Sequence, residues 1–269
     1  MVIERKKNAI RNLIWGYISK ILSLLMPFIF RTVMIYVLGA EYLGINSLFT
    51  SILQILSLSE LGFGTAMVYS MYKPIAENDT KKINALLNLY KKIYRVIGAI
   101  ILVIGLTLTP FISNLINGSY PAEINIYFVY ILFLFNTSIS YFLFAYKASL
   151  MSAFQRNDLD SKISVITNII QYTVASLIIY FSKNYYYYLY IILLSTILHN
   201  IINLIIVNKY FPNYKCEGEV STDDKKEIKK NVLALFCHKV GGTVLNSTDN
   251  IVISSFLGLN MLTQYTNYY

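Results

Sequence analysis

The chain has 269 residues, of which 56% are hydrophobic and only 14% are charged. Soluble domains carry about a quarter of charged residues, so this composition excludes a soluble globular protein and indicates a polytopic membrane protein. The net charge is +9, but the basic residues lie in short runs between apolar segments, as membrane topology requires. We therefore expect no nucleic-acid partner.

Seven apolar segments are long enough to cross a bilayer, which needs about 20 mostly apolar residues. The predicted fold class is all-α, a helix bundle in the membrane. A helical pattern over 81–89 predicts an additional short interfacial helix before the third segment. The seven segments lie at 12–38, 43–71, 88–113, 123–148, 160–182, 185–208 and 229–257, and an eighth begins near residue 260.

The basic residues predict the orientation of these segments. Nineteen of the 23 lysines and arginines lie at the N-terminus or in the second, fourth and sixth connections, whereas the other connections are short and lightly charged. The positive-inside rule then places the N-terminus and these connections in the cytoplasm.

The first segment lacks a signal-peptide cleavage site, so we interpret it as a retained helix. Cys216 and Cys237 are predicted to be free thiols.

Two cations interrupt the first apolar segment. At 100° per residue, Lys20, Pro27 and Arg31 fall within about 40° of one another on one helix face. A cation in the bilayer costs several kcal/mol unless it faces protein or water, which favours a hydrated cavity beside this face. The alternative is that Lys20 and Arg31 extend toward opposite interfaces, since they lie about 16 Å apart along the helix.

The seventh segment carries a similar polar face, about 140° wide at 100° per residue, that contains Lys239, Asn246, Asp249 and Asn250. The second segment adds Gln54 and the sixth adds Asn200, each among other small polar residues. Such stripes either line a cavity or make hydrogen bonds between packed helices. For the second and sixth segments we favour interhelical bonds, and for the two charged segments a cavity.

Glu60 is the only carboxylate in the body of the second segment. It could pair with Lys20 or Arg31, cap a packed glycine contact, or couple transport to an ion, and we favour pairing. Asp249 has the same alternatives.

The tyrosine run 185–188 at a predicted external helix end is typical of an aromatic interface belt. We recognise no nucleotide loop, nucleophile triad or metal-ligand spacing, so we expect no enzyme activity, no metal and no cofactor.

A shift of 219 residues aligns the seventh segment with the first without a gap. Asn12 then matches Asn231, Lys20 matches Lys239, and Gly39 matches Gly258, whereas Arg31 matches the neutral Asn250. Six helices separate the two copies, so both run in the same direction, as a parallel repeat requires. We therefore predict a six-helix lobe over 1–228 and the start of a second lobe over 229–269.

Five runs of the sequence carry a recognisable pattern, and they lie at 31–34, 38–46, 60–66, 72–76 and 248–253. Together these runs resemble the polysaccharide flippases. These flippases are the O-antigen and capsule oligosaccharide exporters of the multidrug/oligosaccharidyl-lipid/polysaccharide superfamily. The resemblance covers essentially the whole chain. It implies a MATE-like fold of about twelve to fourteen helices in two lobes around a central cavity. Because the chain stops in the eighth segment, we expect it to be part of a longer protein.

The resemblance implies a flippase in the bacterial cytoplasmic membrane. Such a protein moves undecaprenyl-diphosphate-linked oligosaccharide to the outer leaflet by alternating access. The implied partners are lipid-linked oligosaccharide, membrane lipids, a polysaccharide polymerase and glycosyltransferases.

We predict that the cavity cations hold the diphosphate, because its charge cannot cross hydrocarbon alone. These cations are Lys20, Arg31 and Lys239. The polar cavity residues would contact sugar hydroxyls or tune the cations. They are Gln54, Glu60, Asn246, Asp249 and Asn250.

Three alternatives stay open. A drug or small-cation antiporter of the same superfamily should favour acids in its cavity, where this chain offers Glu60 and Asp249 against three cations. A membrane glycan polymerase or ligase usually needs a sizeable external loop, which these 269 residues do not show. A scaffold subunit without transport activity would be separated from a flippase by a translocation assay.

Overall fold

The computed structural model describes residues 5–60, 62–118 and 120–268, apart from the side chains of residues 5, 59, 238, 239, 245, 246 and 268. These residues form α-helices, short 3-10 turns and loops, which confirms the all-α fold class. The α-helices of this part of the chain are α1 (Arg5–Val37), α2 (Ala40–Leu56), α3 (Phe63–Ala76), α4 (Thr80–Leu108), α5 (Ile126–Phe142), α6 (Ala148–Ala153), α7 (Asn157–Ser182), α8 (Tyr185–Tyr210), α9 (Thr222–Leu257) and α10 (Leu259–Tyr268).

Four stretches of the described chain are long and apolar enough to span a membrane: Lys6–Val37, Thr80–Leu115, Asn157–Ser182 and Tyr185–Tyr210. The pair α5 and α6 gives a fifth if the 48° bend between them lies within one span. These helices identify a membrane protein. The second and seventh predicted segments do not pass the same test of length and composition.

The second predicted segment is interrupted, so the expectation of one continuous helix was wrong. A 3-10 turn over Ser57–Glu60 follows α2, and Gly62 has a φ of 95° before α3 begins. A Cβ at Gly62 would lie 2.9 Å from the carbonyl oxygen of Val232 in α9. Only glycine satisfies both the left-handed backbone and this close approach. Tertiary packing against α9 therefore accompanies the break.

The predicted separate interfacial helix over 81–89 was also wrong, because this stretch forms the first turns of α4. α3 continues through Pro74 to Ala76, and Asn78 then adopts a φ of 55°. Asp79 caps the next helix by accepting a hydrogen bond from the Lys82 backbone N–H at 2.9 Å. From that cap α4 runs unbroken to Leu108.

The buried core lies where α2, α4 and α5 meet. Phe49 packs edge-on against Tyr130, whose hydroxyl donates to the Gly105 carbonyl oxygen at 3.1 Å. Gly105 has no side chain, which lets α4 approach Leu134 of α5 closely. α1, by contrast, packs mainly along α7 and leaves many apolar side chains exposed, as a helix beside lipid would. The core therefore holds the inner helices together while α1 lies at the periphery.

α10 packs against α2 through pairs of residues that the 219-residue shift relates. The Ser47 hydroxyl lies 3.3 Å from the Thr266 hydroxyl, and the Asn260 amide donates to the Glu41 carboxylate at 3.5 Å. Each of these two pairs consists of equivalent positions.

A second kind of pair exchanges its members under the same shift. Thr263 donates to the Ala40 carbonyl oxygen at 2.7 Å, while a Cβ at Gly44 would lie 2.5 Å from the Leu259 carbonyl oxygen. Reciprocal contacts of this kind occur across a two-fold axis. The pattern agrees with the repeat, and the division into lobes at 1–228 and 229–269 stays a prediction.

Candidate functional site

A polar chamber of about 340 Å³ lies between the helices. Six helices contribute to its wall: α1, α2, α7, α8, α9 and α10. We call it the Arg31 chamber. Its lining residues are Pro27, Phe30, Arg31, Leu43, Asn46, Ser47, Thr50, Ser51, Gln54, Tyr172, Tyr188, Asn250 and Thr266.

Arg31 is the one charged residue among the described residues of this lining. Its guanidinium donates through Nη1 to the backbone carbonyl oxygen of Thr266 at 3.0 Å. Arginine has five N–H donors, so most remain available after this bond. Among the described lining residues there is no carboxylate. A cation with a neutral partner in such a place favours an anionic ligand.

The wall formed by α2 and α9 carries amide and hydroxyl groups. The Asn250 amide donates to the Ser51 hydroxyl at 2.8 Å, and the Ser247 hydroxyl donates to the Gln54 side-chain oxygen at 3.3 Å. These bonds join the two helices, as predicted for the second segment. Ser51, Gln54 and Asn250 also border the chamber, so packing and lining functions coincide on this face.

An aromatic wall also borders the chamber, and sequence reasoning missed it. Phe30 stacks on Tyr188 with ring centroids 4.8 Å apart, and Tyr172 lies 5.8 Å from Phe30. The prediction of an interface belt was wrong for Tyr185 and Tyr188, which are only 2% and 8% exposed. Their spacing of three residues places them on one helix face, which was the available signal.

Lys20 lies on the face of α1 that carries Pro27 and Arg31, but it does not line the chamber. Its side chain is exposed, and its ammonium group has no hydrogen-bond or ion-pair partner among the residues that the structure describes. The helix rise places it about 16 Å from Arg31 along the axis. The side chains of Lys239 and Asn246 lie outside the described residues.

Glu60 is bound by tyrosines rather than by a membrane cation. The Tyr94 hydroxyl donates to one carboxylate oxygen at 2.5 Å, and the Tyr141 hydroxyl donates to the other. The Tyr90 hydroxyl in turn donates to Tyr94 at 2.8 Å. The favoured pairing with Lys20 or Arg31 was therefore wrong. This cluster holds the carboxylate at the break between α2 and α3, outside the Arg31 chamber.

Asp249 also lies outside the lining of the chamber, on an exposed part of α9. It accepts a hydrogen bond from the Tyr265 hydroxyl at 3.2 Å. The structure thus brings Arg31, Gln54 and Asn250 together and places Asp249 elsewhere. The reason is geometric, since one helix face about 140° wide meets more than one neighbour.

The sixth predicted segment makes the interhelical bonds that we favoured. The Asn200 amide of α8 donates to the Ser140 hydroxyl of α5 at 3.1 Å. His199 of α8 lies 3.1 Å from the Thr167 hydroxyl of α7. These side chains connect three helices, and none of them lines the Arg31 chamber. Cys216 and Cys237 are free thiols, as predicted.

The helices and the Arg31 chamber define a polytopic α-helical membrane protein with a polar cavity between its spans. A family model described as polysaccharide biosynthesis protein matches residues 9–269. The chain belongs to this family, which is the family of flippases that the sequence resembles. Membership supports a role in polysaccharide biosynthesis, and the family generally consists of transporters. No curated protein and no solved structure gives a significant match to the chain.

Proposed function

We propose that the protein flips oligosaccharide linked to undecaprenyl diphosphate across the bacterial cytoplasmic membrane, with the N-terminus in the cytoplasm. One observation supports this function above the others. Arg31 borders a polar chamber between membrane helices whose described lining contains no carboxylate. A cavity for drug or metal cations would favour acidic groups, whereas an anionic lipid headgroup favours this arrangement.

The distance between the two cations of α1 determines whether the headgroup can contact both at once. Lys20 and Arg31 are separated by about 16 Å along α1, which is longer than a single diphosphate group. The diphosphate therefore contacts them in succession rather than together. Lys20, with Lys239 on the repeated helix, receives it first from the cytoplasmic side, and Arg31 binds it nearer the outer side.

The remaining chamber groups suit a glycan. Gln54 and Asn250 offer amide groups, and Tyr172 and Tyr188 offer rings on which the apolar face of a sugar can pack. We assign Asn246 and Asp249, which belong to α9 like Asn250, to the glycan path. The isoprenoid tail stays in lipid beside the exposed apolar side chains of α1.

A translocation assay tests this function. The complete gene product would be placed in vesicles that carry fluorescent undecaprenyl-diphosphate oligosaccharide, and the lipid reaching the opposite leaflet would be measured. Lys20→Ala, Arg31→Ala and Lys239→Ala should each slow translocation about tenfold or more, since each removes a charge-assisted hydrogen bond. Retention of the normal rate by all three variants would exclude the proposed mechanism.

Lys92→Ala is the matched control, because Lys92 is an exposed cation of α4 that does not line the chamber. We expect this variant to translocate at the normal rate. Polymerase and glycosyltransferase partners of the pathway are absent from this assay, so a positive result assigns the activity to this protein alone.

A further inference from the structure

α9 is fastened to α4 near its first turn by an ion pair. The Lys82 ammonium of α4 lies 2.8 Å from a carboxylate oxygen of Asp224 in α9, although 142 residues separate them in sequence. Both side chains are partly exposed, at 38% and 29%. Asp224 also accepts a hydrogen bond from the Ser221 hydroxyl. The hydrogen bond from Lys82 has the largest effect on the pKa of this carboxyl and the bond from Ser221 the next, and both lower it. The pair is therefore ionised at neutral pH.

The connection between α8 and α9 docks on the same part of α4. The Asn84 side chain accepts a hydrogen bond from the Lys215 backbone N–H at 3.0 Å and donates to Glu217 at 3.2 Å. One helical turn later, the Asn88 amide donates to the Gly218 carbonyl oxygen at 2.8 Å. Asn84 is only 6% exposed, so this connection covers it.

The other end of α9 is fastened by neutral groups. The Ser254 hydroxyl donates to the Leu115 carbonyl oxygen at 2.8 Å, and the Asn117 amide donates to the Phe256 carbonyl oxygen at 2.6 Å. Ser254 is fully buried. Salt screens a partly exposed ion pair but does not screen a hydrogen bond between neutral groups. The two ends of α9 thus differ in how readily they can be released.

We propose that Lys82, Asn84 and Asn88 of α4, together with residues 215–224, form a latch. This latch holds the cytoplasmic end of α9 against the first lobe and opens when the transporter faces inward. The inference rests on the proposed function and on its predicted orientation. Release of the ion pair would separate α4 from the first turns of α9 and admit the lipid headgroup toward Lys20. The neutral bonds near Ser254 keep the outer end together during this step.

Cross-linking tests whether the latch has to open. In the complete gene product with Cys216→Ser and Cys237→Ser, Lys82→Cys and Asp224→Cys would be joined by a reducible bifunctional thiosulfonate. We expect translocation of the lipid-linked oligosaccharide to stop and to recover after reduction. Unchanged translocation by the cross-linked protein would overturn the latch while leaving the proposed function intact.

Lys147→Cys with Asn208→Cys is the matched control pair. Lys147 donates to Asn208 at 2.6 Å, and both residues belong to the predicted first lobe. A cross-link there should leave translocation unchanged. Arrest by this control link as well would overturn the assignment of the arrest to the latch.

Charge reversal gives a readout that does not depend on transport. Lys82→Glu should increase hydrogen exchange of the amides in 215–220, and the second change Asp224→Lys should restore their protection. If Lys82→Glu leaves exchange unchanged, the latch is overturned even where the protein shows no translocation. If exchange responds but the unmodified protein moves no lipid-linked oligosaccharide, the proposed function fails, and with it the transport function of the latch.

Discussion

The two ends of α9 are held to the rest of the bundle by opposite kinds of interaction. The C-terminal end uses neutral hydrogen bonds to backbone oxygens, from the buried hydroxyl of Ser254 and the exposed amide of Asn117. The N-terminal end uses a partly exposed ion pair between Lys82 and Asp224. A partly exposed ion pair contributes little net stability and is screened by salt, whereas neutral hydrogen bonds are not screened and breaking the bond of the buried Ser254 hydroxyl is costly. In the proposed latch, the C-terminal end of α9 stays closed and the N-terminal end is released.

The largest effect should come from Gly258 at the C-terminal end. Its φ is 84°, and a Cβ would lie 2.8 Å from the Asn117 carbonyl oxygen. Gly258→Ala should therefore lower the free energy of unfolding by more than positive-φ backbone strain alone, which costs about 1 to 3 kcal/mol. Thermal unfolding in detergent measures the effect.

Gly39→Ala is the matched control for that change. Gly39 is the repeat equivalent of Gly258, has a φ of 114°, and meets nothing within 4 Å of an added Cβ. Gly39→Ala should therefore lower the free energy of unfolding only by the cost of the backbone strain. Equal losses at both positions would show that the close approach to Asn117 contributes nothing to the closed end.

A smaller effect is expected for Asn117→Ala. The change removes the 2.6 Å bond to Phe256, which should cost about 1 kcal/mol of unfolding free energy. This cost should be the same at low and high salt, because no charge is involved. Asn114→Ala, in an exposed position nearby, serves as the control. A strongly salt-dependent loss at Asn117 would break the contrast between the two ends.

The smallest effect is expected for Asp224→Asn at the N-terminal end. It should cost at most about 1 kcal/mol at low salt, and the cost should vanish at high salt. The pKa of Asp224 is lowered in the folded protein, so its contribution is complete at neutral pH and is lost as the pH falls through that lowered value. Asp223→Asn is the control, because that carboxylate is 93% exposed. A large loss that persists at high salt would mean that this end is not built for release.

Sequence periodicity predicted the helices well where one helix forms one apolar run. α7 and α8 end within a few residues of the predicted segments 160–182 and 185–208. The break between α2 and α3 was not predicted, although Ser57, Glu60 and Gly62 interrupt the apolar run there. It accompanies contacts distant in sequence, namely the hydroxyls of Tyr94 and Tyr141 and the backbone of Val232.

The candidate site was predicted only in part, because its contacts also join residues that are distant in sequence. A helical wheel identified the face that carries Arg31, and the chamber does lie along that face. It could not identify which neighbour each residue meets, so Glu60 was paired with cations rather than with tyrosines. The aromatic wall of Tyr172 and Tyr188 was missed because apolar segments are rich in such residues and no charge marks them.

The reciprocal contacts between α2 and α10 have an evolutionary consequence. Ala40 meets Thr263 and Gly44 meets Leu259, and the 219-residue shift exchanges the members of these two pairs. Two copies of one ancestral chain could form the same pairs with each other, because a two-fold interface is complementary to itself. Duplication and fusion of a dimeric ancestor would therefore have preserved this contact from the outset. Later substitutions, such as arginine at position 31 against asparagine at 250, would then have made the two halves of the chamber chemically different.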